Sequence, residues 1–408
     1  MTGPGAIAST DVVIVGGGIV GAACAYELAS SGVSVVLCEK SDLADGASGR
    51  NPGFVWMHTR RPGAQLQLSR RTRARYDTLP EEIEHDFDLR RNGGLIVFHT
   101  PVQHKVMAEF VDQRQREGVD VVLLDGDEAR ELCPILPADV LGASFCREDA
   151  QITTRKLVEG LARAAERHGA TILRGTEVGA IAKEGERVTG VTTLRGRIDA
   201  GAVVLAAGVW SPMLAASLGL DLPIRPMRLQ IVATAVAPPL LSHLLYGPQA
   251  IRQYDIFHGL PSYRDEDFLD EGSVQDELPF LELACQTSDG RFLLGCPMDL
   301  STGSWEPDLE GVASTCRRLL DMVPALRGLR FDRAWAGLLP HTNDSLPVID
   351  QVPGLEGAFV AAGHVFGNSS AIATAELIAA RVRHEPPPFT VDDVALGRPG
   401  LEGDGSRW

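Results

Sequence analysis

The chain has 408 residues, a formal net charge of −16, and 44% hydrophobic but only 6% aromatic side chains. This length allows about two to three domains whose cores need neither disulfide nor metal, which excludes collagen-like, disordered and disulfide-scaffold proteins. The acidic balance repels phosphate backbones and anionic lipid, so the expected partner is a small molecule rather than nucleic acid or a membrane surface.

The Gly/Ala/Ser-rich lead lacks a basic segment followed by an apolar one, and no apolar run approaches about 18 residues, so neither an export signal nor a membrane span is expected. Asp11-Val12-Val13-Ile14-Val15 then reads as a strand covered on both faces of a parallel sheet. Gly16-Gly17-Gly18 breaks it. A helix follows from Ile19 to Ser31, with Val20, Cys24 and Leu28 at helical spacing, and Gly32 stops it before a second strand at Val33–Leu37.

Gly16-Gly17-Gly18-Ile19-Val20-Gly21 therefore places G-x-G-x-x-G between a strand and a helix. In that pattern Gly16 permits the tight turn, Gly18 lets the backbone approach a pyrophosphate, and Gly21 allows close helix packing. The helix N-terminus adds N–H groups and partial positive charge. Glu39 follows 39 − 16 = 23 residues on, where a carboxylate can grip a ribose hydroxyl. These features predict a bound dinucleotide, NAD or FAD.

From Arg60 to Asp88 the chain turns charged, Arg70, Arg71, Arg73 and Arg75 being followed by Glu81, Glu82, Glu84 and Asp86. With acid following base and no interleaved aromatics, this reads as a solvated helix face or subunit contact. A helix over 153–168 is capped by Thr153 or Thr154 and stopped by Gly169, and a short strand follows at Ala170–Leu173. A hairpin turning at Glu184-Gly185-Glu186 leads into a buried strand at Ala202–Ala207. Residues 222–330 carry dispersed strand candidates (Leu229–Ala235, Phe280–Cys285, Arg291–Gly295) and an acidic loop at 265–277, the texture of an antiparallel second domain. Ala358–Ala362 is a last strand, Gly363 opens the loop into a helix ending near Val382, and Pro386-Pro387-Pro388 begins a polar tail. The seven cysteines are odd in number and show no metal-ligand spacing, so reduced thiols, no metal and a cytoplasmic location are expected.

An NAD enzyme is expected to complete its binding features early, whereas this chain returns to nucleotide-domain texture twice. Taken together, these segments resemble the D-amino-acid-oxidase-like superfamily of FAD-dependent oxidoreductases over roughly residues 10–385. The resemblance implies an α/β fold, with a Rossmann-like FAD domain from 8–90, 150–221 and 330–385, a mostly antiparallel α+β substrate domain from 91–149 and 222–329, and a tail at 386–408. It places the ADP half of FAD on Gly16, Gly18, Ile19, Val20, Gly21, Glu39 and Lys40, and the pyrophosphate and flavin along the segment with Ser48, Arg50, Asn51 and Gly53. Val178 falls at the adenine, and Ala207, Gly208 and Trp210 form a second Gly turn beneath the cofactor. The most specific match joins Arg333–Pro340, which includes Gly337, to Asp344–Asp350 and Ala361–His364. There the family seats the flavin ring, near Gly363, His364, Phe366, Gly367, Asn368 and Ser369, with the final helix aimed at the ring edge that becomes negative on reduction.

The implied reaction is hydride transfer from the carbon beside an amine to flavin N5, giving an imine that water hydrolyses, with FAD held noncovalently and dioxygen or another acceptor taking the electrons. His364, Glu282 and His341 are candidate catalytic groups, Glu282 as receiver of the substrate amine. Trp56, Tyr254, His258, Tyr263 and Leu339 are candidate substrate contacts, and Arg228 is a further pocket candidate. Leu339 and Phe366 stand where glycine oxidase has arginines that bind a substrate carboxylate, so a small free D-amino acid is disfavoured and a bulkier or differently held substrate expected. The Cys by which monomeric sarcosine oxidase of the resembled superfamily attaches FAD has no counterpart in 337–340, and its oxygen-activating Lys has none on 290–295, so the resemblance favours a dehydrogenase. Two rival readings are an NAD(P)H-dependent flavin monooxygenase, which wants a second mid-chain nucleotide turn, and a flavin-bearing electron-transfer or structural subunit of a heteromeric complex. A homo- or hetero-oligomer fits either an enzyme or a subunit.

Overall fold

The computed structural model describes residues 7–268, 280–300 and 304–402. Two large sheets organise them. In the first, strand Ala8–Val15 lies centrally, with Val35–Cys38 and then Thr171–Leu173 on one side, all parallel. On the other side lies Gly196–Leu205, also parallel, followed by Ala358–Ala362 and the antiparallel Val348–Gln351. The run Val12–Val15 is buried because both faces are covered. Helices Ile19–Ser30, Thr154–Arg167 and Gly367–Val382 pack on one face, while the hairpin Val178–Glu184/Arg187–Thr193 and Ser211–Ala215 lie toward the other.

Strand Gly196–Leu205 is longer than its apolar run at Ala202–Ala207 suggested. Its first half pairs with the hairpin, while its second half gives the same edge to Ala358–Ala362. The helix expected over 153–168 runs Thr154–Arg167 with Thr153 at its N-cap.

The second sheet orders Phe331–His341, Arg225–Thr234, Phe292–Asp299, Phe280–Gln286, Leu244–Tyr246, Gly94–Phe98, Gly142–Cys146 and Val121–Asp125. Every neighbour pair is antiparallel except Leu244–Tyr246 with Gly94–Phe98. Strand Phe331–His341 corrects a boundary. Expected with the dinucleotide unit from residue 330, it is the edge of the antiparallel sheet, paired from Phe331 opposite Thr234 to His341 opposite Arg225. The chain changes sheet between His341 and Val348.

The stretch after the three prolines is also not a free tail. Val394 and Leu401 are buried, Val394 accepts a backbone hydrogen bond from Ile349, and Arg398 grips Asp344 at 2.7 and 3.0 Å. Apolar side chains spaced among polar ones dock it on the first sheet; residues 403–408, and 269–279 of the acidic loop, lie outside the described residues. The Arg run of helix Ala64–Arg75 is answered within the chain, Arg71 by Glu376 and Arg75 by Glu27, Glu82 and Glu376.

Candidate cofactor and substrate site

The carboxyl ends of the parallel strands converge on one edge, where ligands of open α/β sheets bind. Gly16 leaves Ala8–Val15 with φ +112°, and a Cβ on it would come 2.5 Å from the Ala206 carbonyl oxygen of the neighbouring strand. A Cβ on Gly21 would lie 1.9 Å from the Gly16 oxygen, so the helix can approach the turn this closely only because both positions lack side chains. Glu39, at the end of the adjacent strand, bends back over the turn. Its carboxylate accepts from Gly17 N at 2.7 Å and Ser41 N at 2.8 Å. Ser48 Oγ accepts from Ile19 N at 3.0 Å and so serves the first turn of a helix whose own N-cap residue is Gly18.

A cavity of about 720 Å³ opens on this edge. Gly16, Gly18, Ile19 and Val20 line it from the first turn, and Glu39 and Lys40 from the second strand. Ser48, Arg50 and Asn51 border it from the segment that follows, Val178 from the hairpin, and Ala207, Gly208 and Trp210 from the second Gly turn. Gly363, His364, Phe366, Gly367, Asn368 and Ser369 border it at the head of the closing helix. Beyond that head the cavity continues into an aromatic and aliphatic chamber that includes Trp56, Tyr254 and Leu339. Asn51 joins the two halves, its Oδ1 accepting from Asn368 Nδ2 at 2.9 Å and Thr154 Oγ1 at 3.1 Å.

Several expected site residues lie elsewhere. Gly21 stands behind the turn as a packing residue. Gly53, at φ +85°, lets its strand approach Ile152, whose oxygen would be 2.0 Å from a Cβ there. Gly337 backs onto Arg50, whose Cβ would be 3.2 Å from a Cβ added there. Glu282 is a correction of phase: Leu281 and Leu283 face the cavity, so strand alternation turns Glu282 to the opposite face, beside Gln249 N at 3.1 Å and Arg318 at 3.5 Å. His341 is buried in the edge strand outside the cavity lining, one residue past Pro340, which does line it. His258 faces Arg252 and Asp255, and Tyr263 bonds Asp265 at 2.9 Å. Arg228 is held by Asp299 and Asp308.

His364 keeps a place in the site. Ser370 Oγ donates to the Phe366 carbonyl, so His364 Nδ1 donates to Ser370 Oγ at 3.0 Å and Nε2 is left with its lone pair. That Nε2 is buried without a hydrogen-bond partner among the described residues, and burial pushes the imidazole pKa down to about 3. It is a neutral acceptor beside the cavity.

The most informative residue of the chamber was hidden in the charged stretch. Arg60 is 4% exposed and lines the cavity, its guanidinium stacked on the Phe366 ring at 3.3 Å. The chamber is thus not short of a cation, although Leu339 and Phe366 replace the expected arginines. Tyr246, Trp305 and Leu229 also border the cavity and carry no sequence signature. Trp305 stacks on Trp210, which in turn receives Lys40 Nζ at 3.4 Å.

The loop holding Arg60 is braced from below. Asp149 accepts from Met57 N and His58 N, His58 bridges Asp149 at 3.2 Å and Ser144 at 2.8 Å, and Arg114 donates to the Met57 carbonyl. His58, Asp149 and Cys146 are close enough to share an ion, but the His58 and Asp149 atoms are engaged in these bonds.

The FAD dependent oxidoreductase family model matches residues 11–381. The chain belongs to that family. Glycine oxidase of Bacillus licheniformis is 26% identical over 386 residues, covering 92% of this chain and 94% of that protein. Sarcosine oxidase subunit beta of an Arthrobacter species is 28% identical over 359 residues, covering 85% and 80%. The crystal structure of glycine oxidase from Geobacillus kaustophilus superimposes with a TM-score of 0.83 at 26% identity, covering 96% of this chain and 99% of that one. At this edge the FAD-dependent oxidoreductase presents a turn without side chains at the head of one helix, the Glu39 carboxylate bent over that turn, and, at the head of another helix, the His364 Nε2 acceptor without a partner among the described residues. Among the described residues no helix is long and apolar enough to cross a membrane.

Proposed function

We propose that the protein oxidises the C–N bond of an amine or amino-acid derivative to an imine, which water then hydrolyses. The observation that carries this reading is one continuous cavity, which runs from the Gly16–Glu39 edge past the head of the closing helix into the chamber at Trp56 and Tyr254. A long ligand and a small one fit end to end. The names of glycine oxidase and sarcosine oxidase subunit beta supply the donor class.

FAD, when bound, supplies the hydride acceptor. The chain's part is to hold and orient: the Gly16–Val20 turn and Ser48 for the pyrophosphate, Glu39 for the ribose, Val178 for adenine, and the head of Gly367–Val382 for the flavin edge that gains charge. Trp56, Tyr246, Tyr254 and Leu339 enclose the donor and exclude water. Two features support noncovalent attachment: no Cys stands at 337–340, and burial pushes the cavity-lining Cys296 thiol up to about 12, which makes it a poor nucleophile. From strand Phe292–Asp299 the cavity is lined by Cys296 rather than a lysine, which supports an acceptor other than dioxygen. Seven unbridged thiols fit a reducing compartment such as the cytoplasm. The first sheet with its helices is the FAD domain, and the second sheet the substrate domain.

Anaerobic addition of an amine and amino-acid panel to the purified yellow protein tests the reading. Bleaching of the visible flavin band by a donor supports a catalytic subunit that acts alone, and turnover with dioxygen or an artificial acceptor identifies the electron route. A protein that no donor bleaches is not this enzyme by itself.

A further inference from the structure

We propose that Arg60, with the Tyr254 hydroxyl beside it, is the carboxylate anchor of this enzyme, so that it selects amino acids with an apolar body over the corresponding amines. The donor class rests on the function proposed above; the anion site does not.

Arg60 is buried, and its Nε and Nη1 have no hydrogen-bond partner among the described residues. No described carboxylate lies within ion-pair distance of it, whereas the other buried arginines among the described residues, Arg114 and Arg398, are paired with Glu117 and Asp344. Leaving a guanidinium desolvated and unmatched costs several kcal/mol, a cost that an incoming anion relieves. Tyr254 hydrogen-bonds Arg60, and burial holds the hydroxyls of Tyr254 and Tyr246 above the ordinary range, so both stay protonated donors. The planar fork is fixed from one side by the Phe366 ring and from its own loop by the Asp149–His58–Ser144 brace. A preset fork matches a carboxylate in two parallel hydrogen bonds.

The rest of the chamber is apolar, with Trp56, Leu229, Leu281, Leu283 and Leu339 on its walls. An anionic head at Arg60 therefore projects its body across aliphatic and aromatic surface. With Glu282 on the far face, no acid from that strand awaits the amine, which suits a donor that enters with its amine neutral. Phe366, which replaces an expected arginine, becomes the platform on which the cation is carried.

The test uses the FAD-loaded protein, wild type, Arg60→Gln, Arg60→Lys and Tyr254→Phe. Cyclohexanecarboxylate and its neutral twin cyclohexanecarboxamide are titrated against the flavin spectrum, and an amino acid is compared with its decarboxylated amine in steady state. The wild type should bind the carboxylate about 100-fold more tightly than the amide, R60Q should bring the two within a few-fold, R60K should recover part of the difference, and Y254F should lose about 10-fold. R60Q should lower the acid-to-amine ratio of kcat/KM by about 100-fold, mostly through KM. The proposal is overturned if R60Q leaves the carboxylate preference intact. It is equally overturned if R60Q weakens both probes alike while shifting the unliganded flavin spectrum, since Arg60 then serves the cofactor. Should R60Q not fold, the carboxylate preference of R60K and Y254F decides, an unchanged preference in both overturning it. A carboxylate preference without bleaching by any donor would refute the amine-oxidation reading and leave the anion site standing.

Discussion

Gly21→Ala probes the contact on which the cofactor edge depends. The added Cβ would stand 1.9 Å from the Gly16 oxygen, against about 3.3 Å for a relaxed carbon–oxygen contact, so helix and turn must part by about 3.3 − 1.9 = 1.4 Å. The helix cannot yield freely, because residues from Ile19 through Ala29 are almost all buried. Overpacking of this kind costs about 1–3 kcal/mol, or about 2–10 °C in Tm for a domain of this size. The displacement falls on the N–H groups at the head of the helix, so FAD retention should drop by at least about tenfold. Flavin absorbance relative to protein after desalting, alongside thermal unfolding, measures both. Two controls separate contact from strain. Gly259→Ala meets nothing within 4 Å at an ordinary φ and should be silent, while Gly169→Ala meets nothing within 4 Å but sits at φ +93°, and should lower Tm without releasing FAD. A Gly21→Ala protein as yellow and as stable as Gly259→Ala would refute the reasoning.

Glu39→Ala removes the acceptor of the Gly17 and Ser41 N–H groups and the proposed ribose contact, and should weaken FAD binding to the apoprotein by about 10–100-fold in a fluorescence titration. His364 is ordinary when unfolded, near 6.5, and about 3 when folded, so its neutral burial costs nothing above pH 6.5 and removes stability progressively as pH falls toward 3. Urea unfolding at pH 7 and pH 4.5 should show that loss, and His364→Gln should shrink the difference between the two. Truncation after Glu385 should lower Tm, and Arg398→Ala alone should cost about 1–3 kcal/mol in denaturant unfolding, because it strips Asp344 of a two-pronged partner. A truncated chain with unchanged Tm would show that the docked segment contributes nothing.

What the sequence determined is what neighbours in the chain decide together. The strand, glycine turn and helix at 11–31, the hairpin at Glu184–Glu186 and the strand at Ala358–Ala362 were legible because hydrophobic period and turn chemistry are local properties. The cofactor edge was legible for the same reason: a bare turn and an acid at a set distance constrain backbone first. Tertiary structure alone decided the substrate end. Whether Glu282 faces cavity or helix depends on the phase of one strand against its sheet, and a one-residue difference reverses it. Phe331–His341 joined the antiparallel sheet because its partner Arg225–Thr234 was there, about a hundred residues earlier in the chain. Arg60 looked like one charge among many until folding buried it over Phe366, some three hundred positions away, and left it without a counter-charge. Desolvation belongs to the assembled chamber and not to any stretch of sequence, so the residue that selects the substrate becomes visible only when distant segments meet.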